Sequence, residues 1–400
     1  METLKENSIA VVTSTINIPY FLEDLAKNLK KFKVRKFKSY IIGDVKTPTN
    51  AFKYCKKLSF KFGYDFDYLS IKEQYRRLSN YKKLLHFLPK NNNVRKMIGT
   101  FLAYIEGYQK IIMIDDDNFP TNSNDFYKFH NKTSNIISSI ASYKSNTNWF
   151  NLGYTMNEKK KIPFYPRGFP WSKRFLKDKI LSKKILKKRI VVNSGLILGD
   201  PDVDAVSRLF WPLDVKSIKK KYLNQFSIYK NNYCPFNDQN TSIDRSIIPI
   251  YYKPPSVLRN ADIWTSYLIE KVVHSTNNDI VTFGEPLVRQ FRNLHDFRKD
   301  YQLEVIQNRS TDLLIDILIN QKIKFEGYFN TTLTLVKKCL KEINKRYKKK
   351  MKIQNSRHAH MLSSKEVINN YKENLEMIRN FFKEYLNWLM IMKNYLDDLS

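Results

Sequence analysis

Four apolar residues, Ile111-Ile112-Met113-Ile114, run without a break into three carboxylates, Asp115-Asp116-Asp117. An apolar run of that length is a strand buried on both faces, the kind found in parallel sheets covered by helices. Three adjacent carboxylates cannot share that burial, because they repel one another and each costs free energy unless solvent or a cation offsets it. The strand therefore ends at an open edge. The preceding residues supply its neighbours. Ile9–Val12 reads as a strand ending in Thr13-Ser14-Thr15, and Tyr40–Ile42 as a strand ending at Gly43-Asp44. Helical spacing covers 19–31 and 92–107. The alternation predicts an α/β fold with a parallel sheet and crossover helices. Ligands of such sheets bind beyond the carboxyl ends of the strands, where Thr13, Asp44 and Asp115 fall.

Hard divalent ions take carboxylate oxygens and also grip phosphate oxygens, so an Asp-x-Asp at a strand end suits a metal held against a nucleotide diphosphate. The competing reading is a solvated acidic turn. Arg95-Lys96 opens the helix before this strand and can face a diphosphate, or can be an exposed helix end. Asp44 can accept from a base ring N–H, and Lys46 can reach a phosphate.

From about 150 to 300 the chain is less periodic and rich in turn chemistry, as in 164–171, 199–202 and 233–237. Ordered loops of this kind usually build a site. In Asp200-Pro201-Asp202-Val203-Asp204, an extended chain after the proline turn would point Asp202 and Asp204 the same way. Two such carboxylates can bind sugar hydroxyls; the alternative is capping of a helix beginning near Val203. Arg167, among prolines and aromatics, can bind a phosphate or pack on a ring.

After 301 the pattern becomes helical. Leu333, Val336, Leu340, Ile343 and Tyr347 form one narrow seam, and Tyr371, Leu375, Ile378, Phe382, Tyr385, Leu389, Met392 and Leu396 another. Ser363 with Glu366 reads as a capping box for the second. The expectation is a helical hairpin or bundle over 301–400, behind a first domain over 1–300. Its loop lies near 351–363, with His358 and His360 exposed in it. The seams can pack on the first domain, on each other, or in a homodimer.

Lysine and arginine number 70 against 38 aspartates and glutamates, a formal charge of +32. That favours polyanionic partners, although the joint abundance of Asn, Lys, Ile, Tyr and Phe is also what an AT-rich coding bias gives. The basic stretches 173–189 and 337–352 suit an anionic membrane surface or are solvated helix faces. No recognition motif or repeated aromatic platform points to nucleic acid. Cys55, Cys234 and Cys339 lie too far apart for a CxxC metal site, and their odd number fits a reducing compartment. Met1–Ser8 is polar, the apolar run after it is too short for a signal peptide, and no apolar stretch reaches bilayer length. The expected location is cytoplasmic, with the basic stretches allowing a peripheral position on the inner face of the membrane.

Several segments, in one order over about residues 9–300, resemble the nucleotide-sugar half of GT-A glycosyltransferases, more narrowly the STELLO-like glycosyltransferases. They are Val11-Val12-Thr13-Ser14-Thr15-Ile16-Asn17, Ile42-Gly43-Asp44-Val45-Lys46-Thr47-Pro48, Asp115-Asp116-Asp117-Asn118 and Pro166-Arg167-Gly168-Phe169-Pro170. Further along are Gly199-Asp200-Pro201-Asp202-Val203-Asp204-Ala205, Pro235-Phe236-Asn237-Asp238-Gln239-Asn240-Thr241, Ala261-Asp262-Ile263-Trp264-Thr265-Ser266-Tyr267 and Arg292-Asn293-Leu294-His295-Asp296. A more distant similarity is to the reversibly glycosylated polypeptides, which act as UDP-arabinopyranose mutases.

The resemblance implies a GT-A fold and a metal-dependent transferase. It would move a sugar from a nucleotide-sugar donor, a UDP-sugar foremost, to a glycan or lipid-linked acceptor. Asp115, Asp117 and a late histidine, His295, would hold Mn2+ or Mg2+. Thr13, Asp44, Lys46, Arg95, Asp116 and Arg167 would bind the donor, with Trp264 as a floor for the sugar. Asp262 would be the base of an inverting reaction, unless it is a helix cap, and Asp202 and Asp204 would contact sugar or acceptor. A nucleotide-sugar mutase is the alternative enzyme. A basic scaffold binding membrane or nucleic acid is the non-catalytic alternative.

Overall fold

In the computed structural model, residues 8–162, 164–174, 180–292, 296–348 and 364–397 are described. The amino-terminal part alternates strand and helix: β1 Ile9–Thr15, α1 Phe21–Lys31, β2 Lys38–Gly43, α2 Asn50–Phe62, β3 Asp65–Leu69, α3 Ile71–Arg77, α4 Lys82–Phe87, a 3-10 turn Asn93–Arg95, α5 Lys96–Ile105 and β4 Lys110–Ile114. These four strands lie in the order β3-β2-β1-β4, all parallel. Strand alternation splits the core in two. Ala10 and Val12 face the layer that holds α5, while Ile9 and Val11 face the layer that holds α1. The parallel sheet expected from the apolar runs is present, and β3 with its flanking helices extends it beyond the strands expected.

The middle of the chain is more regular than its turn-rich composition suggests. It contains β5 Asn118–Pro120, α6 Phe126–Asn131, β6 Ile136–Ser145, β7 Met156–Glu158, α7 Trp171–Arg174, β8 Ile180–Gly199, α8 Ala205–Phe210, β9 Val215–Ile218, β10 Phe226–Ile228, β11 Asn240–Asp244, α9 Ala261–Val273 and β12 Asp279–Gln290. The strand β11 continues the sheet past β4 in the antiparallel sense and carries β8 on its other side. Pairings of β8 with β6, β6 with β10, β10 with β12 and β12 with β8 close a ring of four strands. Aromatics pack there, with Tyr143, Phe150, Tyr222 and Phe226 in mutual ring contact. The basic stretch 173–189, expected as a helix face, is in its described part chiefly the first half of β8. Leu186 alternates there with exposed Lys187, as strand period requires.

The carboxy-terminal helices α10 Phe297–Ile319, α11 Tyr328–Lys348 and α12 Ser364–Asp397 are not a separate core. Their buried residues belong to the same apolar cluster as α5 and α9. Tyr385 and Trp388 of α12 donate to the backbone oxygens of Ile250 and Pro249, and the Trp388 ring stacks on Tyr252 at 4.9 Å. The α12 seam is buried in this way from Leu375 to Met392. It thus packs within the chain. In α11 the buried face runs through Leu335, Val336, Cys339 and Ile343. Tyr347, expected in that seam, is exposed. The expected loop 351–363, with His358, His360 and the Ser363 cap, lies outside the described residues. No described helix is long and apolar enough to cross a membrane.

Candidate functional site

The carboxyl ends of β1, β2 and β4 converge. Thr15, at the end of β1, donates its hydroxyl to Asp116, and Asn17 donates to the same oxygen at 3.3 Å. Thr47 ties the loop after β2 to β1 by donating to the Thr15 carbonyl at 2.6 Å. Asp44 receives the backbone N–H of Asn92 at 3.1 Å, which joins that loop to the entrance of α5. Close approach of α5 to β1 depends on Gly99. A Cβ there would lie 2.5 Å from Val12 Cγ1. This contact sets the first residue of α5, Lys96, beneath the end of β4. Its ammonium pairs with Asp115 and lies 3.4 Å from Asp238. Asp238 in turn pairs with Lys253 at 2.7 Å.

The acidic triplet is held but not saturated. Asp117 accepts from Asn118 at 2.9 Å and from Gln290 at 3.0 Å. Burial, and next the negative charge of Asp115, push the Asp117 carboxyl up to about 6. Asp116 is also raised, chiefly by burial, with the Thr15 bond opposing. Burial works against the charge of Asp238 too, but Lys253 and Lys96 outweigh it and bring that carboxyl down to about 2.

A second group of acids faces arginines. Gly168, at φ +71°, lets the 166–170 turn press on α9, where a Cβ would lie 2.4 Å from Ile263 Cγ2. Arg167 is thereby seated between Asp202 at 2.8 Å and Asp262 at 3.4 Å. Asp202 is half-circled by cations and, despite burial, lies well below the usual carboxylate range. Asp262 is pushed up to about 6, because burial, with Asp238 and Asp202 nearby, outweighs Arg167. Asp204 is fully buried, caps α8 through the Ser207 N–H at 2.8 Å and pairs with Arg174 at 2.5 Å.

Hydrogen bonds join the two groups. From Asp117 the path runs through Gln290 to Arg292 at 3.1 Å, then to Asp200 at 2.9 Å, which also pairs with Arg208. Asn237, three residues before β11, donates to Asp202 at 3.2 Å and to the Gln239 side chain at 3.1 Å, and the Gln239 carbonyl accepts the Asp115 N–H at 3.3 Å. In a chain with formal charge +32, the described acids of this network outnumber its bases. Charge of that sign, against the trend of the whole molecule, marks a place built to receive cations.

Several placements differ from the sequence expectation. Arg95 does not face the strand ends. It is fully buried, donates to the Leu88 carbonyl at 3.1 Å and to Gln74, and so pins the α3–α4 region. One residue later Lys96 takes the place expected of it, since successive helical positions point about 100° apart. Trp264 is no exposed floor. It is fully buried, its indole donates to Thr311 at 3.0 Å and its ring meets Phe381 at 5.4 Å. Arg167 is sealed by Asp202 and Asp262 instead of being open to a phosphate. Asp204 serves as the cap that its spacing also allowed. Asp202 and Asp204 do not form a common face but pair with different arginines. Thr13 is buried in β1, and Thr15, two residues on, reaches the acids. Lys46 is exposed in its loop and Asp44 half-buried beside it. His295 lies outside the described residues.

The sequence reading passed over Asp238, Lys253, Gln290, Thr15 and Asn17. Asp238, Thr15 and Asn17 stand inside segments already singled out for resemblance, so the signal was present. Lys253 and Gln290 had none, because each is recruited from a distant strand or turn.

Two half-exposed carboxylates at a strand end, one of them destabilised by its acidic neighbour, fit a hard divalent cation; such ions are often held by one or two side chains, with water and phosphate completing the shell. Among the described residues no cluster of three or more His, Cys, Asp or Glu is arranged to hold a metal by itself. No protein-family model matches this chain, and no curated protein matches it either.

Proposed function

We propose that the chain is a GT-A-type glycosyltransferase using a nucleotide-sugar donor. The observation that carries this reading is the meeting of Thr15, Asn17, Asp44, Lys96 and Asp115–Asp117 at the carboxyl ends of three adjacent parallel strands. That is the edge at which open α/β sheets bind nucleotides. Asp44 and the exposed Lys46 flank the groove in which a base and phosphates would lie. Asp115 and Asp117 would hold Mn2+ or Mg2+, whose charge offsets that of a departing diphosphate. Lys96 already balances part of the acidic charge from below and fixes the Asp115 carboxylate in place.

Of the three acids expected to act on acceptor or sugar, Asp262 keeps the properties of a base. Its carboxyl, displaced up to about 6, sits near neutral pH, where a general base works best. Asp202 is committed to Arg167 and Asp204 to Arg174 and a helix end. The acceptor class favoured is a glycan, lipid-linked or free.

The test is a thermal-shift panel of UDP, GDP and CDP and their sugars, with and without Mn2+, on wild type and Asp117→Asn. The reading expects one nucleotide to stabilise the protein, more so with Mn2+, and the metal-dependent part to vanish in the variant. Saturating ligand at a hundredfold over its Kd stabilises by about 2.7 kcal/mol. No shift with any nucleotide at millimolar concentration rejects it. Product analysis on donor alone then separates a transferase, which needs an acceptor, from a mutase, which does not.

A further inference from the structure

A second cavity, of about 340 Å3, opens at the opposite end of the elements that build the acidic site. Asp262 lies in the first turn of α9 and His274 caps its other end, roughly 18 Å apart at 1.5 Å per residue. The same inversion holds for β12, whose Asp279 end lines the cavity while its Gln290 end touches Asp117. The cavity therefore shares a scaffold with the acidic site and no residue of its network.

Its chemistry is different in kind. Around the mouth stand Lys184, Lys188 and Lys230. Among the described residues none of the three pairs with a carboxylate. Lys188 and Lys230 donate to the 276–277 turn, and Lys184 lies over the Tyr229 ring at 4.4 Å. Deeper in are polar groups without charge. Glu270 is fully buried and accepts the Cys234 N–H at 3.2 Å; burial pushes its carboxyl well above the ordinary range, so it is a neutral acid. Burial, with Lys271 and Lys230 adding to it, brings His274 down to about 3, so its ring is neutral as well. His274 Nδ1 and the hydroxyl of the fully buried Ser142 have no hydrogen-bond partner among the described residues. Buried polar atoms left unpaired keep their desolvation cost uncompensated, and such atoms in a native cavity call for an explanation. A ligand that supplies the missing partners is one.

We infer that this cavity binds an anionic sugar, its phosphate or carboxylate held by Lys184, Lys188 and Lys230 and its hydroxyls by Ser142, Glu270 and His274. Lysines serve the anion as mobile point charges. Neutral donors and acceptors below them suit hydroxyl groups, which both give and take hydrogen bonds. The volume is that of a small-molecule site. The site goes beyond the donor groove and does not depend on it.

The experiment measures binding of glucose 6-phosphate, glucuronate and inorganic phosphate to the full chain by calorimetry. It uses wild type, Lys184→Glu/Lys230→Glu and Asp117→Asn. Both lysines are exposed, so the double variant is expected to melt at the wild-type temperature without ligand. One of the two sugar anions should bind more tightly than inorganic phosphate. The double variant should weaken it by at least about tenfold, while Asp117→Asn leaves it unchanged. Which sugar anion binds tells phosphate from carboxylate. Equal affinity for inorganic phosphate overturns the sugar part of the inference. Binding that survives the double variant, or is lost in Asp117→Asn, places the anion elsewhere and overturns it altogether, as does no binding of any probe at millimolar concentration. Should the double variant melt lower, Lys184→Glu alone, at an exposed side chain that lies over the Tyr229 ring, is read by the same criteria.

Discussion

The two acidic groups of the site are built from the same residue type and have opposite fates. At the end of β4, Asp115–Asp117 are half-exposed, Lys96 pairs with Asp115, and Asp116 and Asp117 are raised toward protonation, first by burial and then by the charge of Asp115. About 85 positions further along the chain, Asp202 and Asp204 are buried and each is matched to an arginine. The first arrangement leaves negative charge unanswered; the second answers it inside the protein. Carboxylates of the first kind are available to a ligand, and those of the second hold the loops that shape its surroundings. Asp262 stands between, paired with Arg167 yet displaced up to about 6.

The comparison breaks first at Arg167. Arg167→Met should cost about 3–5 kcal/mol, because removing one partner of a buried ion pair leaves the other charge uncompensated. Urea denaturation measures it. A loss below about 1 kcal/mol would mean that Asp202 and Asp262 are not dependent on that guanidinium, and the locked group would not be locked.

Next in size is Trp264→Phe, expected to destabilise by about 1–3 kcal/mol through the lost bond to Thr311 and poorer packing on Phe381. Nucleotide affinity should be unchanged, since the indole lies in the core. A weakened donor affinity at unaltered stability would restore the sugar-floor role that the sequence suggested.

Why that role was expected is instructive. The strands β1, β2 and β4 were legible because a strand buried on both faces must be continuously apolar, and the acids that end it must be open. Periodicity reports burial, so it found Ile111–Met113 and the α12 seam without help. It does not report partners. Asp204 precedes a helical segment and Asp262 lies in the first turn of another, and nothing local distinguishes an acid that serves a helix end from one that meets substrate. The distinction is made by Arg174 and Arg167, which arrive from a turn-rich loop some thirty to ninety positions away. Arg95 failed for a smaller reason: α5 begins at Lys96, the second residue of the basic pair, and that single step decides which cation faces the acids. The long strands β8 and β12 escaped because the lysines of the first and the Gly284-Glu285-Pro286 step of the second imitate loop composition.

The pH dependence sharpens the contrast. Asp117 has an ordinary value of 3.8 and lies at about 6 in the folded protein, so between those values the folded state binds more protons than the unfolded one. Stability from this group is therefore greatest at the acid side of the window and falls as pH rises through about 6. Asp238 behaves in the opposite sense. Lowered to about 2, it contributes above 3.8 and is lost as pH falls toward 2. Asp117→Asn should flatten the decline in stability between about pH 4 and 6 and raise stability at pH 7, whereas Asp238→Asn should lower it there. Denaturation midpoints of both variants across pH 3–7 would show it. Identical pH profiles for Asp117→Asn and wild type would place the raised charge on another member of the triplet.

The smallest expected effect is also the most selective. Lys46 is exposed and makes no ion pair among those described, so Lys46→Ala should change stability by less than about 0.5 kcal/mol. Its loop is nevertheless fixed on both sides, by Thr47 to the end of β1 and by Asp44 to the entrance of α5. A cation on a fixed loop at a strand end reaches a diphosphate at little entropic cost, and its loss should appear almost wholly in nucleotide binding. The check is UDP affinity against ionic strength, for wild type and variant. If Lys46 meets a phosphate, the variant binds more weakly and its affinity falls less steeply with salt, because one fewer charge is being screened. Unaltered affinity and salt dependence would confine recognition of the diphosphate to the triplet and Lys96, and the open region of the site would end at β4.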